Sequence, residues 1–324
     1  MRAIRLLQTG GPEVLQLEEV PKPEPGAGQA LVRLHRAGLN FIDIYFRRGQ
    51  NPIASFPYTP GLEGAGVVES LGPGVEGVKV GGRVAYVSTP NSYAEYVVVP
   101  VERLIPVPDG VDWDAAAALP LQGMTAHYLL HSAHETKPGE TVLIHAAAGG
   151  MGALAVQIAK RMGARVFGTV STEEKAKIAR EAGCDEVILY TQQDFAAEAK
   201  RLTGGKGVDF VIDSVGKTTI PKSLEAIRVR GQVIICGSAS GPADPIGPNS
   251  LQNGAKTLSG SSLAFYTQDR EELLWRSGDV FKWYTDGSLR LRIDSVFPLA
   301  EAAAAHHHLE SRAATGKVLL RTED

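Results

Sequence analysis

The residues with the clearest chemical purpose form one run, HAAAGGMGALAVQIAK at 145–160. It follows the apolar stretch TVLIHA at 141–146 and opens an amphipathic helical pattern. A glycine-rich turn between a strand and a helix is the setting that cradles a dinucleotide pyrophosphate. On the G-x-G-x-x-G template, Ala147, Gly149 and Gly152 take the three small positions. Gly149 lets backbone N–H groups approach the phosphates, Gly152 lets the helix pack closely on its strand, and Gly150 adds backbone freedom. The positive helix end favours the anion. The plainer alternative is a glycine-rich turn with no ligand, and the βα units that follow weigh against it.

The next strand decides which dinucleotide. A site that prefers NAD presents Asp or Glu about 20 residues on, for the ribose 2′-hydroxyl. Here the place holds Thr169, Val170 and Ser171, without an acid, and Lys175 one helical turn further could reach a 2′-phosphate. Glu173 and Glu174 stand close by. Taking Ser171 as N-cap and Glu174 as third helical residue makes a capping box of them. The missing acid favours NADP, and a merely solvated Lys175 is the competing reading.

Other side chains point away from metal chemistry. Cys184 and Cys236 are the only cysteines, too few for a disulfide scaffold or a four-cysteine zinc site, and each reads as a small buried residue. His306, His307 and His308 fall on a helical stretch where consecutive side chains diverge. A metal pair would prefer i, i+4 spacing, so they are expected to be solvated. In FKWY at 281–284, Phe281 and Tyr284 share a helical face and are expected in the core.

These residues need a frame. To about residue 122 the chain reads as β structure broken by turns, with alternation at 14–20, 29–38, 66–72 and 83–87, and suggests an irregular barrel. DWDAAAALP at 112–120 predicts a short helix stopped by Pro120. From 141 onward, strands at 141–146, 165–170, 186–190, 208–213 and 232–237 alternate with helices at 152–162, 172–182 and 193–202. That rhythm predicts a parallel sheet covered on both faces. A helix at 271–287, a strand end and helix at 296–312 and a strand at 316–321 return to the first domain. The expected division is 1–123, an inserted 124–264, and 265–324.

A chain of 324 residues suits two domains, and a net charge of −3 speaks against a polyanionic partner, whether nucleic acid or anionic membrane. MRAIRLLQTGG lacks the apolar core of a signal peptide, and no run approaches the roughly 18 apolar residues of a membrane span, so a cytoplasmic setting is expected.

Over essentially its whole length the chain resembles the quinone oxidoreductase and zeta-crystallin branch of the medium-chain dehydrogenase/reductase family. The family signature matches at Gly139-Glu140, Leu143, Ala147-Ala148-Gly149-Gly150-x-Gly152, Gln157 and Lys160. AGLNFIDIYFRRG at 37–49, PGLEGAGVV at 60–68, DSVG at 213–216 and LESRAATGK at 309–317 match too. The resemblance implies an α/β fold, a Rossmann doubly wound parallel sheet inserted in a GroES-like β-barrel catalytic domain. It implies NADPH contacts from Asn40, Asp43, Tyr45 and Thr125, and from Gly149, Gly150, Met151, Gly152, Ser171, Lys175, Tyr190, Ser214, Gly237, Ser238, Leu263 and Lys317. Ser171 and Met151 stand where relatives often have glycine and valine. A homodimer through an edge strand around 257–263 is also implied. Zinc-dependent alcohol dehydrogenases of this superfamily carry a ligand histidine where this chain has Leu62, and leucine cannot coordinate a metal.

The reading that follows is an enzyme passing hydride from NADPH to a quinone, which carries its own activation and needs mainly to be held and kept dry. Asn40 and Tyr45 would orient cofactor and substrate and Asp43 would organise them, although Asp43 could be only a turn cap. Nothing in the sequence names a proton donor. A 2-alkenal or enoyl-thioester reductase is the alternative, and a crystallin-like or RNA-binding role stands further off.

Overall fold

The computed structural model describes residues 1–323. It divides into two compact units, one formed by Met1–Met124 with Tyr266–Asp324, the other by Thr125–Phe265. Among the described residues no helix is long and apolar enough to cross a membrane.

The first unit is built on the eleven-residue strand Gln29–Leu39. One side pairs antiparallel with Glu63–Leu71. The other is shared, Tyr96–Pro100 lying along residues 29–33 and Lys317–Arg321 along residues 36–39. Arg83–Val87 and Ile293–Pro298 extend the sheet beyond these neighbours. Ala30, Val32, Leu34 and Val68 fill one apolar cluster; Leu39, Tyr93, Ala302 and Leu320 belong to a second beneath the helix Ala302–Glu310. Alternation decides the faces, since a strand covered on one side hides every second residue.

The second unit is a six-stranded sheet in the order Glu186–Leu189, Arg165–Val170, Thr141–His145, Val208–Asp213, Ile227–Ile235, Thr257–Gly260, parallel at every pairing. The strand order reverses at Thr141–His145, so the carboxyl ends of that strand and of Val208–Asp213 flank the crevice where such sheets take ligands. This is the α/β Rossmann arrangement with its GroES-like companion.

Three expectations need correction. Pro120 does not stop its helix, which spans Trp113–Tyr128. The amide after the proline, Leu121 N–H, donates to Glu63 Oε1 at 2.6 Å, so a carboxylate serves the backbone where proline disrupts the ladder. The helix after Ser171 is capped one residue later than read. Thr172 Oγ1 accepts from Lys175 N–H, and the Thr172 hydroxyl reaches the Glu174 carboxylate and lowers its pKa, after the larger effect of that residue's own backbone N–H. The strand placed at 232–237 runs from Ile227 to Ile235, preceded by a helix, Ile220–Ala226, that the apolar pattern did not mark.

Candidate active site

In the first unit the sheet and one short helix assemble a buried polar cluster. The helix Phe41–Arg47 starts where Gln29–Leu39 ends, and Asn40 is its N-cap. Asp43 turns back so that Oδ2 accepts from Asn40 N–H at 2.9 Å, the turn-capping role open from sequence. This frees the Asn40 amide to face the sheet. Its Nδ2 donates to Glu63 Oε2 at 3.0 Å and its Oδ1 accepts from Lys317 Nζ at 2.8 Å. Lys317 and Glu63 form an ion pair at 2.5 Å with neither side chain exposed. Gly38 makes room for it, because a Cβ there would lie 2.1 Å from Glu63 Oε2.

Beside this lies a second chain of groups. The Tyr93 hydroxyl is 3.2 Å from Asp43 Oδ2 and 3.1 Å from His306 Nε2. Burial pushes the Asp43 carboxyl up to about 7, against the pull of the Asn40 N–H and the Lys317 charge. Burial, then the Arg47 charge, drives His306 down to about 3. Burial also raises the Tyr93 phenol well above its ordinary value. The Arg47 guanidinium, fully enclosed, pairs with Glu310 at 2.5 Å. The histidine run is therefore not a solvated face. His306 is buried in this cluster, His308 bonds Asp294 at 2.7 Å, and only His307 is exposed. Polar partners on neighbouring elements explain the difference, and helical spacing alone does not reveal them.

The structure brings Asn40, Asp43 and Lys317 into contact and places Tyr45 one turn along, tilted against Phe41 with ring centroids 6.4 Å apart. Lys317 is wholly enclosed, and its ammonium meets Asn40 Oδ1 and Glu63 Oε2. Glu63, Tyr93 and Arg47 were missed. The available signal was a charged or polar residue inside an apolar stretch, as Glu63 is in PGLEGAGVV.

In the second unit the remaining residues line the carboxyl ends of the strands. Gly149 caps the helix Gly150–Arg161 in an extended conformation, with no acid in the first turn. Gly152 is required, since a Cβ there would lie 2.2 Å from the Ala146 carbonyl. Ser171 and Lys175 follow Arg165–Val170, and Tyr190, 44% exposed, follows Glu186–Leu189. Ser214 follows Val208–Asp213, and its carbonyl accepts from Ala239 N–H at 3.3 Å, which keeps Gly237 and Ser238 beside it. Thr125 lies on the helix Trp113–Tyr128, and Leu263 opens a short turn, buried. A helix N-terminus without acid, a side-chain-free cradle and a lysine in place of a carboxylate fit a phosphorylated dinucleotide.

Two domain families match. Residues 26–109 fit the alcohol dehydrogenase GroES-like domain and residues 150–277 the zinc-binding dehydrogenase domain. Among the described residues no group of three or more His, Cys, Asp or Glu is placed to hold a metal ion. The chain is 44% identical to a 2-haloacrylate reductase of Burkholderia, covering 96% of each, and 41% identical to a quinone oxidoreductase of Pseudomonas aeruginosa, covering 98% of this chain and 99% of that one. It superposes on the crystal structure of Escherichia coli quinone oxidoreductase complexed with NADPH with a TM-score of 0.97, at 37% identity, covering 99% of this chain and 100% of that one. The chain belongs to the quinone oxidoreductase branch of the medium-chain dehydrogenase/reductase family.

Proposed function

We propose that the protein is an NADPH-dependent reductase of quinones. The observation that carries this reading is the phosphate cradle at Gly149–Gly152 paired with a second strand that ends in Ser171 and Lys175 without a ribose-binding acid. Gly149, Gly150, Met151 and Gly152 would hold the pyrophosphate, Ser171 and Lys175 the 2′-phosphate, with Tyr190, Ser214, Gly237, Ser238, Thr125 and Leu263 completing the contacts. When bound, NADPH supplies the hydride. Asn40 and Tyr45 orient the reacting partners, and Asn40 is held by Glu63 and Lys317 so that its amide does not turn. Asp43, buried and with its carboxyl raised to about 7, accepts from Asn40 N–H through Oδ2 and so holds the start of this helix, and with it Asn40, in place. A quinone needs no stronger activation than this.

The relationship to a 2-haloacrylate reductase favours a second reading, in which the acceptor is an activated C=C bond. The test is a side-by-side measurement of NADPH oxidation with benzoquinone and with a 2-alkenal. Quinone should win in kcat/KM. An alkenal ahead by more than about tenfold, roughly 1.4 kcal/mol of transition-state preference, would overturn the quinone assignment. A reducing, cytoplasmic setting suits the two free cysteines, and a homodimer along the edge strand Thr257–Gly260 is the assembly that the resemblance implies.

A further inference from the structure

One cluster in the six-stranded unit has no part in this scheme. His145, Thr169, Asp213 and Ser223 are all at most 1% exposed. The Ser223 hydroxyl donates to Asp213 Oδ2 at 2.8 Å. His145 Nε2 is 2.9 Å from Ser223 Oγ, and His145 Nδ1 is 2.8 Å from Thr169 Oγ1. Asp213 Oδ1 accepts from Val215 N–H and Gly216 N–H at 3.0 Å each, and from the Thr219 hydroxyl at 2.8 Å.

The direction of the chain follows from counting protons. The one hydroxyl proton of Ser223 goes to Asp213, so Ser223 Oγ accepts from His145, and Nε2 carries the imidazole proton. Nδ1 is then bare and accepts from Thr169. Each group donates to the next, Thr169 to His145 to Ser223 to Asp213, and the relay ends on a carboxylate, where such chains reinforce one another. The trio is not a hydrolytic triad. The carboxylate holds the serine and not the imidazole Nδ1, and nothing in the trio reaches solvent.

Position gives the cluster a purpose. His145 and Asp213 are the last residues of their strands, and Thr169 is the last but one of its own. The backbone pairing of Thr141–His145 with Val208–Asp213 stops at Ile144 and Ile212, so the next rung is made of side chains alone. Directly beyond these three strand ends come Gly149–Gly152, Ser171–Lys175 and Ser214. We infer that His145 is a positioning residue which pins the three cofactor loops to one another through Thr169, Ser223 and Asp213. This rests on the NADPH-binding reading.

The test is NADPH affinity, from nicotinamide fluorescence, and KM for NADPH with benzoquinone, for the full chain and its His145→Phe, His145→Gln, Thr169→Val and Ser223→Ala variants. His145→Phe should raise Kd and KM about tenfold while kcat at saturating NADPH stays within about twofold, because the loops are mispositioned but the reaction is intact. His145→Gln, which keeps one donor and one acceptor, should recover most of the loss. Nitrogen chemical shifts of the free protein should report an Nε2–H tautomer. A merely packed histidine would lower thermal stability and kcat through the folded fraction and leave KM unmoved, which would overturn the inference. Should His145→Phe not fold, Thr169→Val breaks one link and Ser223→Ala two, and each should raise KM at least about threefold; unmoved values in both would overturn it equally. Wild-type protein that fails to bind NADPH defeats the functional reading and the role of His145 with it, whereas bound NADPH with unmoved KM defeats only the latter.

Discussion

Removing Lys317 tests the design of the first unit. Its ammonium lies 2.5 Å from Glu63 Oε2 and 2.8 Å from Asn40 Oδ1, with no exposed surface. Lys317→Met leaves a buried carboxylate with only the Leu121 N–H and the Asn40 amide as donors, and breaking one half of such a pair costs about 3–5 kcal/mol. Glu63→Gln strands the ammonium at a similar cost. The double variant Glu63→Gln/Lys317→Met buries no charge. It should lose only about 1–2 kcal/mol, mainly the bond from Lys317 to Asn40, against the roughly 6–10 kcal/mol expected if the singles added. All three tryptophans, Trp113, Trp275 and Trp283, lie in this unit, so their fluorescence during urea unfolding follows it alone. The double variant should regain stability without regaining quinone turnover, because Asn40 is no longer fixed. A Lys317→Met loss below about 1 kcal/mol, or an additive double variant, would mean that Lys317 and Glu63 are not energetically coupled.

Three further outcomes are expected. His306 is neutral when folded, with a pKa near 3 against about 6.5 unfolded, so its contribution is complete above about pH 6.5 and drains away as pH falls, by about 2 kcal/mol at pH 5. Asp43, raised to about 7, acts oppositely and gains stability over the same fall; His306→Gln should therefore become more stable relative to wild type by about 2 kcal/mol between pH 8 and pH 5, and an unchanged pH slope in urea unfolding speaks against it. Gly152→Ala forces a Cβ to within 2.2 Å of the Ala146 carbonyl and should cost about 1–3 kcal/mol together with most NADPH affinity, read by thermal unfolding and fluorescence titration. Lys175→Glu should weaken NADPH about ten- to a hundredfold and spare NADH, and equal affinities for both cofactors in the unaltered protein would end the NADP preference.

The sequence and the structure agree where one local rule governs. RVAYV at 83–87, RVFGTV at 165–170 and VDFVID at 208–213 form strands at those residues, because apolar content and flanking turns leave no other outcome. The turn at Gly149–Gly152 was legible for the same reason. What escaped depends on partners far away in the chain. Pro120 reads as a stop until Glu63 is seen serving the next amide. His306 reads as solvated until Tyr93 is found beside it. Lys317 shows no sign in the sequence of the ion pair with Glu63 and the bond to Asn40 that enclose its ammonium. A sequence shows that a polar residue sits in an apolar stretch, but not which residue it will meet.

The shared edge of Gln29–Leu39 bears on how the chain is made. Synthesis releases Glu63 and its strand long before Lys317, which follows 254 residues later. Until then residues 36–39 are unpaired on the edge that Lys317–Arg321 will cover and Glu63 lacks its counterion, so the first unit cannot close while translation continues. The inserted unit draws on no such distant segment, since its six strands all fall between Thr141 and Gly260. On the ribosome the inserted unit should mature first, with the early β segments waiting as an unfinished sheet exposed to chaperones, and the last strand acting as the latch of the first unit.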